Sequence, residues 1–170
     1  YDENVNLANN RLSELNDFFG KDLLSMDNEG FLSINGLSGY EGSEGQEKVL
    51  EVFRKLIDSD TNFEIVNQQE DGKSCIGACF IEHVNRILLS TESASYFKRP
   101  LGKNFENIEF TPLIAFVHEA AHAIGEGEKG AVEMGNLVRE GTKRHFYGVN
   151  DGQMYKLEEG YMPPSVPKEY

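Results

Sequence analysis

Tryptophan is absent from this chain, cysteine occurs twice, proline five times and histidine four times. Two cysteines cannot build the multi-bridge framework of a small secreted scaffold. Basic residues are also scarce. Sixteen Lys and Arg stand against twenty-nine Asp and Glu, for a net charge of −13. Nucleic acid and anionic membrane both demand basic patches, so neither is an expected partner. The longest apolar run, residues 112–117, falls far short of the ~20 residues that a membrane-spanning helix needs, so no insertion is expected. The sequence also carries no internal repeat and no apolar signal core at its start.

What is present suits a globular protein. The chain has 170 residues, 39% of them hydrophobic and 26% charged, enough for one domain with its own core. A single domain over residues 1–170 is expected. The first residue is Tyr1 and not Met, so the chain is expected to be cut from a longer polypeptide. Cys75 and Cys79 lie in strand-like sequence. On one strand they would stand ~13 Å apart, beyond disulfide reach, so they read as two half-buried thiols.

Val5, Ala8, Leu12, Leu15 and Phe19 recur at helical spacing before Gly20, which predicts a first amphipathic helix. Residues 28–45 are Gly-rich, with a short strand at about 31–34. Ser43 and Gln46 form a capping-box pattern, and Val49, Leu50, Val52, Phe53, Leu56 and Ile57 mark a second helix. Strands are predicted at 63–66, 75–81 and 86–89, with a turn at 82–85 and a hairpin signal at Asp71-Gly72. Thr111-Pro112 starts a further helix and Gly125 stops it. After the turn Gly125-Glu126-Gly127 a last helix covers about 129–139. The final twenty residues, with Pro163, Pro164 and Pro167, read as irregular chain on the surface. The order predicts an α+β fold.

The Thr111 helix carries His118-Glu119-Ala120-Ala121-His122. Histidines four apart share a helix face, so both imidazoles can bind one Zn²⁺. Glu119 follows the first histidine, and its carboxylate therefore points beside the metal, where it can take a proton from water. Three ionisable groups on an otherwise apolar helix would be costly in a core without a compensating metal. Zinc is the expected cofactor.

A catalytic zinc takes three protein ligands and keeps one position open. Glu126, Glu128, Glu133, His145 and Asp151 lie downstream. The spacing His118-Glu119-x-x-His122-x-x-Gly125-x-x-Glu128 matches the metzincin pattern with Glu in the last place. Metzincins use His or Asp there, and many zincins take a Glu from the following helix. Glu128 therefore comes first and Glu133 second. Tyr147 is the candidate donor to an oxyanion, with core packing as the rival reading. Met134, Met154 and Met162 read as ordinary methionines, and His83 as a lone turn residue.

Residues of about 96–148 resemble the effector metallopeptidases that bacteria inject through type III secretion, and the metallopeptidase toxin domains of Rhs polymorphic toxins. The resemblance rests on the stretch from Phe110 through His118-Glu119-Ala120-Ala121-His122 to Ala123. It also rests on Asn136-x-x-Arg139-Glu140, then Arg144 and Tyr147-Gly148. One departure is Gly135, where such proteins often have Glu directly before the Asn. If that Glu were a family ligand, its role would pass to Glu133 or Glu128. The resemblance implies a zincin-like fold, with a small antiparallel sheet packed on the active-site helix and helices flanking it. It implies a zinc endopeptidase that cleaves a target protein after secretion into a host or competitor cell. A cognate immunity protein or secretion chaperone would be a partner. A cell-wall peptide amidase and a non-catalytic zinc-stapled module are the alternatives.

Overall fold

A computed structural model describes residues 2–59, 62–65, 78–89, 95–101 and 104–142. Among these residues the fold is α+β, with four α-helices and three small sheets. His145, Tyr147, Asp151, Met154, Met162, Cys75, the Asp71-Gly72 pair and the last twenty residues lie outside the described residues.

Helix α1 (Asp2–Phe19) buries Ala8, Leu12, Leu15 and Phe19 of the predicted stripe, and Phe18 as well. Gly20, at φ +72°, closes it. The Asn16 side chain then ties the following strand to the helix, accepting from the amides of Leu23 and Leu24 and donating to the Leu24 carbonyl. Strands β1 (Leu24–Met26) and β2 (Leu32–Ile34) form an antiparallel ribbon. Helix α2 (Glu44–Ile57) opens with the predicted capping box: Ser43 Oγ accepts from the Gln46 amide, and Gln46 Oε1 accepts from the Ser43 amide. Its buried residues, Val49, Leu50, Val52, Phe53 and Leu56, face the core.

The central sheet differs from the expected antiparallel one. Strand β5 (Arg86–Leu89) lies in the middle, antiparallel to β4 (Ala78–Ile81) and parallel to β3 (Asn62–Ile65). The hairpin signal between β3 and β4 therefore does not make them neighbours. Turn chemistry is local, and it cannot say which strand fills the centre of a sheet. The two-thiol expectation is also corrected, because Cys79 is disulfide-bonded. The ~13 Å separation holds only for fully extended chain between the two positions, which strand-like composition does not guarantee.

A long hairpin of β6 (Ser95–Leu101) and β7 (Asn104–Phe110) was not expected from the sequence. Pro100 and the charged Lys98, Arg99, Glu106 and Glu109 interrupt its apolar alternation. The pairing of Leu101 with Asn104 leaves Gly102-Lys103 as its sequence signal. Strand β7 runs directly into α3 (Pro112–Ala123), capped by Thr111 Oγ1, which accepts from the Ile114 amide.

Helix α3 is the centre of the molecule. Every residue from Pro112 to Ala121 is buried, among α1, α2, β4, β5 and the last helix, α4 (Glu128–Thr142). A helix apolar on all sides belongs inside a core. Phe116 meets Phe53 of α2 with ring centroids 5.5 Å apart. Gly135 of α4 lets the two helices approach closely: a Cβ there would meet Ile114 Cγ2 at 3.3 Å. The glycine that departs from the resembled pattern thus has a packing role here.

Candidate metal centre

The site forms where α3 ends. Gly125 takes φ +98°, its amide donates to the His122 carbonyl, and the Glu126 amide donates to the Ala121 carbonyl. This pair of bonds is the Schellman closure, and a residue with a Cβ would be strained at the glycine. The closure reverses the chain over the last turn of α3. It sets the Glu126 carbonyl 3.0 Å from His122 Nδ1. It also starts α4 at Glu128, beside the two histidines.

His118, His122 and Glu128 form a group able to hold a metal ion. His122 Nε2 lies 3.1 Å from His118 Nε2 and 3.1 Å from Glu128 Oε2, and His118 Nε2 lies 3.5 Å from Glu128 Oε1. Ligands at ~2.0–2.1 Å around a tetrahedral ion stand about 3.3 Å apart, so these spacings fit one. The donor set fits as well. A carbonyl can only accept, so the Glu126 contact puts a proton on His122 Nδ1, and in the neutral imidazole Nε2 is then the bare nitrogen that faces inward. Glu128 Oε1 is buried without a hydrogen-bond partner. Lone pairs on three residues therefore converge on one point that a cation would satisfy.

The electrostatics agree. Burial lowers the His118 imidazole to about 4, against the pull of Glu128, so it is neutral and ready to ligate. Burial also pulls His122 down, but its hydrogen bond to Glu128, the Glu119 charge and the Glu126 carbonyl together raise it above its ordinary value. The hydrogen bond to His122 in turn holds the Glu128 carboxyl below its usual range. Both shifts favour a charged His122–Glu128 pair where no cation is bound, and binding a metal favours the neutral imidazole.

Glu119 is only 6% exposed and points to the sheet side of α3. The Phe80 amide of β4 donates to its Oε2 at 2.8 Å. Burial drives its carboxyl up to about 7, even though His122 and this amide favour the charged form. A carboxyl with a pKa near neutrality, next to a metal group, suits a proton shuttle.

The predicted residues divide clearly. His118, His122 and Glu128 come together, and Glu119, buried on the same helix, acts electrostatically on His122. Glu133 is exposed on α4 and acts on Lys48 of α2, away from the group. Glu126 contributes its carbonyl. His83 is exposed on the 3-10 turn Glu82–Val84, and Met134 packs against the core. Two contributors were missed. The Phe80 amide leaves no signal in a sequence, because every residue but proline has one. Arg139 is 2% exposed, its Nη1 donates to Asn136 Oδ1, and its charge helps lower His118. Its place in the Asn136-x-x-Arg139 pair was the available signal. No protein-family model, curated protein or solved structure matches the chain.

Proposed function

We propose that this chain is a zinc-dependent endopeptidase with a zincin-like arrangement. The observation that carries the reading is the convergence of His118 Nε2, His122 Nε2 and Glu128 beside the buried carboxyl of Glu119. Three protein ligands leave a tetrahedral ion one position for water or substrate. When bound, zinc supplies a Lewis acid that polarises the scissile carbonyl and makes water acidic near neutral pH.

The chain's own residues supply the rest. Among the described residues, strand β4 is paired on one side, by β5. An extended peptide would add along its other edge, next to α3. Glu119 takes a proton from the attacking water and passes it to the leaving amine. Tyr147, outside the described residues, is proposed as the donor to the oxyanion. The target is proposed to be a protein of a host or competitor cell, reached by bacterial secretion. That part rests on the resemblance of the His118 helix and the Asn136-x-x-Arg139 segment.

Metal analysis and hydrolysis test the reading together. The purified protein should contain about one zinc per chain, lost in His118→Ala. It should hydrolyse bonds in a host-lysate proteome, and chelation should stop it. Release of peptides from purified peptidoglycan with an untouched proteome would make it a cell-wall enzyme instead. Bound zinc with neither activity would favour a structural staple.

A further inference from the structure

The contact between Glu119 and Phe80 joins two elements far apart in sequence. Phe80 sits on β4, opposite Ile87 of β5. In an antiparallel ladder the N–H of a residue points either to its partner strand or away from it. The Phe80 N–H meets Glu119 Oε2 at 2.8 Å, so it leaves the sheet on the side that β5 does not occupy. The partner is a carboxylate oxygen, which makes this a charge-assisted bond once Glu119 ionises. It restrains a buried side chain whose other described interaction is electrostatic, with His122 and Glu128.

We propose that the backbone amide of Phe80 is the positioning donor for the base of this site. It anchors Oε2 and thereby aims Oε1 at the water whose proton Glu119 takes. The inference rests on the endopeptidase reading, and it goes further by making the edge strand part of the proton-transfer machinery. On this arrangement the Phe80 N–H is not available to a docked peptide. The peptide must be held by other backbone groups of β4. The Phe80 side chain is incidental, because any residue except proline supplies the same donor.

Two measurements on the zinc-loaded full chain test this. The first needs no activity. In the wild type, the Phe80 amide should exchange slowly with solvent and resonate at low field, as an amide bonded to a carboxylate does. In Glu119→Ala it should exchange at least tenfold faster and move upfield, while Phe80→Leu should keep the slow exchange at position 80. Equal exchange in wild type and Glu119→Ala overturns the proposal.

The second replaces Phe80 by its α-hydroxy acid, so that an ester stands in for the amide without restricting φ. Zinc content should be unchanged, KM should stay within about twofold, and kcat should fall ~10–100-fold, the usual worth of a hydrogen bond to a charged group. Phe80→Leu should exceed the ester protein in kcat by at least tenfold. A raised KM with unchanged kcat would assign the N–H to the substrate strand, and the proposal would be wrong. If the wild type cleaves no peptide, the endopeptidase reading fails by itself. The amide exchange then still decides whether Phe80 holds Glu119.

Discussion

Helices α2 and α3 begin alike and end differently. Each is capped at its start by a hydroxyl, Ser43 or Thr111, and each packs into the same core. Helix α2 keeps its charges on the wet side. Lys48 pairs with Glu44 at 2.9 Å and Arg54 with Glu51 at 3.6 Å, all of them largely exposed. Such pairs contribute little to stability. Helix α3 has no wet side until its last turn, so its His118 and Glu119 are buried, at 5% and 6% exposure. Their ionisation is set first by the absence of water and then by His122 and Glu128, with Arg139 acting on His118 and the Phe80 amide on Glu119. A charge on α2 is a surface detail, whereas a charge on α3 must have a partner or a purpose.

The sharpest way to break this comparison is Glu119→Gln. The substitution keeps the shape and removes the proton acceptor. Peptide hydrolysis should fall ~10²–10⁴-fold with zinc content close to wild type, as read by steady-state kinetics and elemental analysis. Cleavage at the wild-type rate would end the role of Glu119 as base.

The next contrast lies within α4. Glu128→Gln should weaken zinc affinity tenfold or more, because it removes a charged ligand from a partly buried site. Glu133→Gln, out by Lys48, should leave zinc affinity alone. Competition with a chromophoric chelator reads both constants. The reverse ranking would move the third ligand to the second-helix geometry.

A smaller effect appears in the metal-free protein as pH changes. The Glu119 carboxyl is raised from an ordinary 4.5 to about 7 by burial. A raised carboxyl means that the folded state holds the proton longer than the unfolded chain does. The stability this gives is complete below about 4.5 and is lost as pH rises through about 7. Relative to Glu119→Gln, the metal-free wild type should therefore lose several degrees of Tm between pH 5 and pH 8. Groups that do not sense Glu119 are common to both proteins and cancel in the difference, and His122, which the Glu119 charge raises, shifts with it. A constant difference across that range would mean that Glu119 is not desolvated.

The smallest expected change is on α2. Ser43→Ala removes the capping hydroxyl and should cost ~1 kcal/mol by denaturant unfolding. Loss of zinc or activity in that variant would mean that α2 is coupled to the site, which its solvated face argues against.

The helices were legible because each carries its own signals. The stripe of Leu12, Leu15 and Phe19, the Ser43–Gln46 box and the Thr111-Pro112 start are all encoded within one or two turns. Strands are less local, and there the reading failed in instructive ways. The mixed order β3-β5-β4 depends on a parallel pairing that no turn residue announces. The β6–β7 hairpin hides behind Pro100 and its charges. Cys79 shows the same dependence, since its bonding follows the path of the chain and not strand-like composition.

The site divides along the same line. Sequence alone determined that His118 and His122 share a face, that Glu119 lies beside them and that Gly125 turns the chain, because helix periodicity and a positive φ are local physics. It left the candidate third ligand among Glu128, Glu133 and His145, the last of which lies outside the described residues. Tertiary structure places α4 so that Glu128 faces the histidines while Glu133 acts on Lys48 of α2. Tertiary structure also decided that Glu119 is buried, and that a backbone amide from β4 meets it. Desolvation and strand-to-helix contact depend on what packs against a residue, and only the folded chain says what that is.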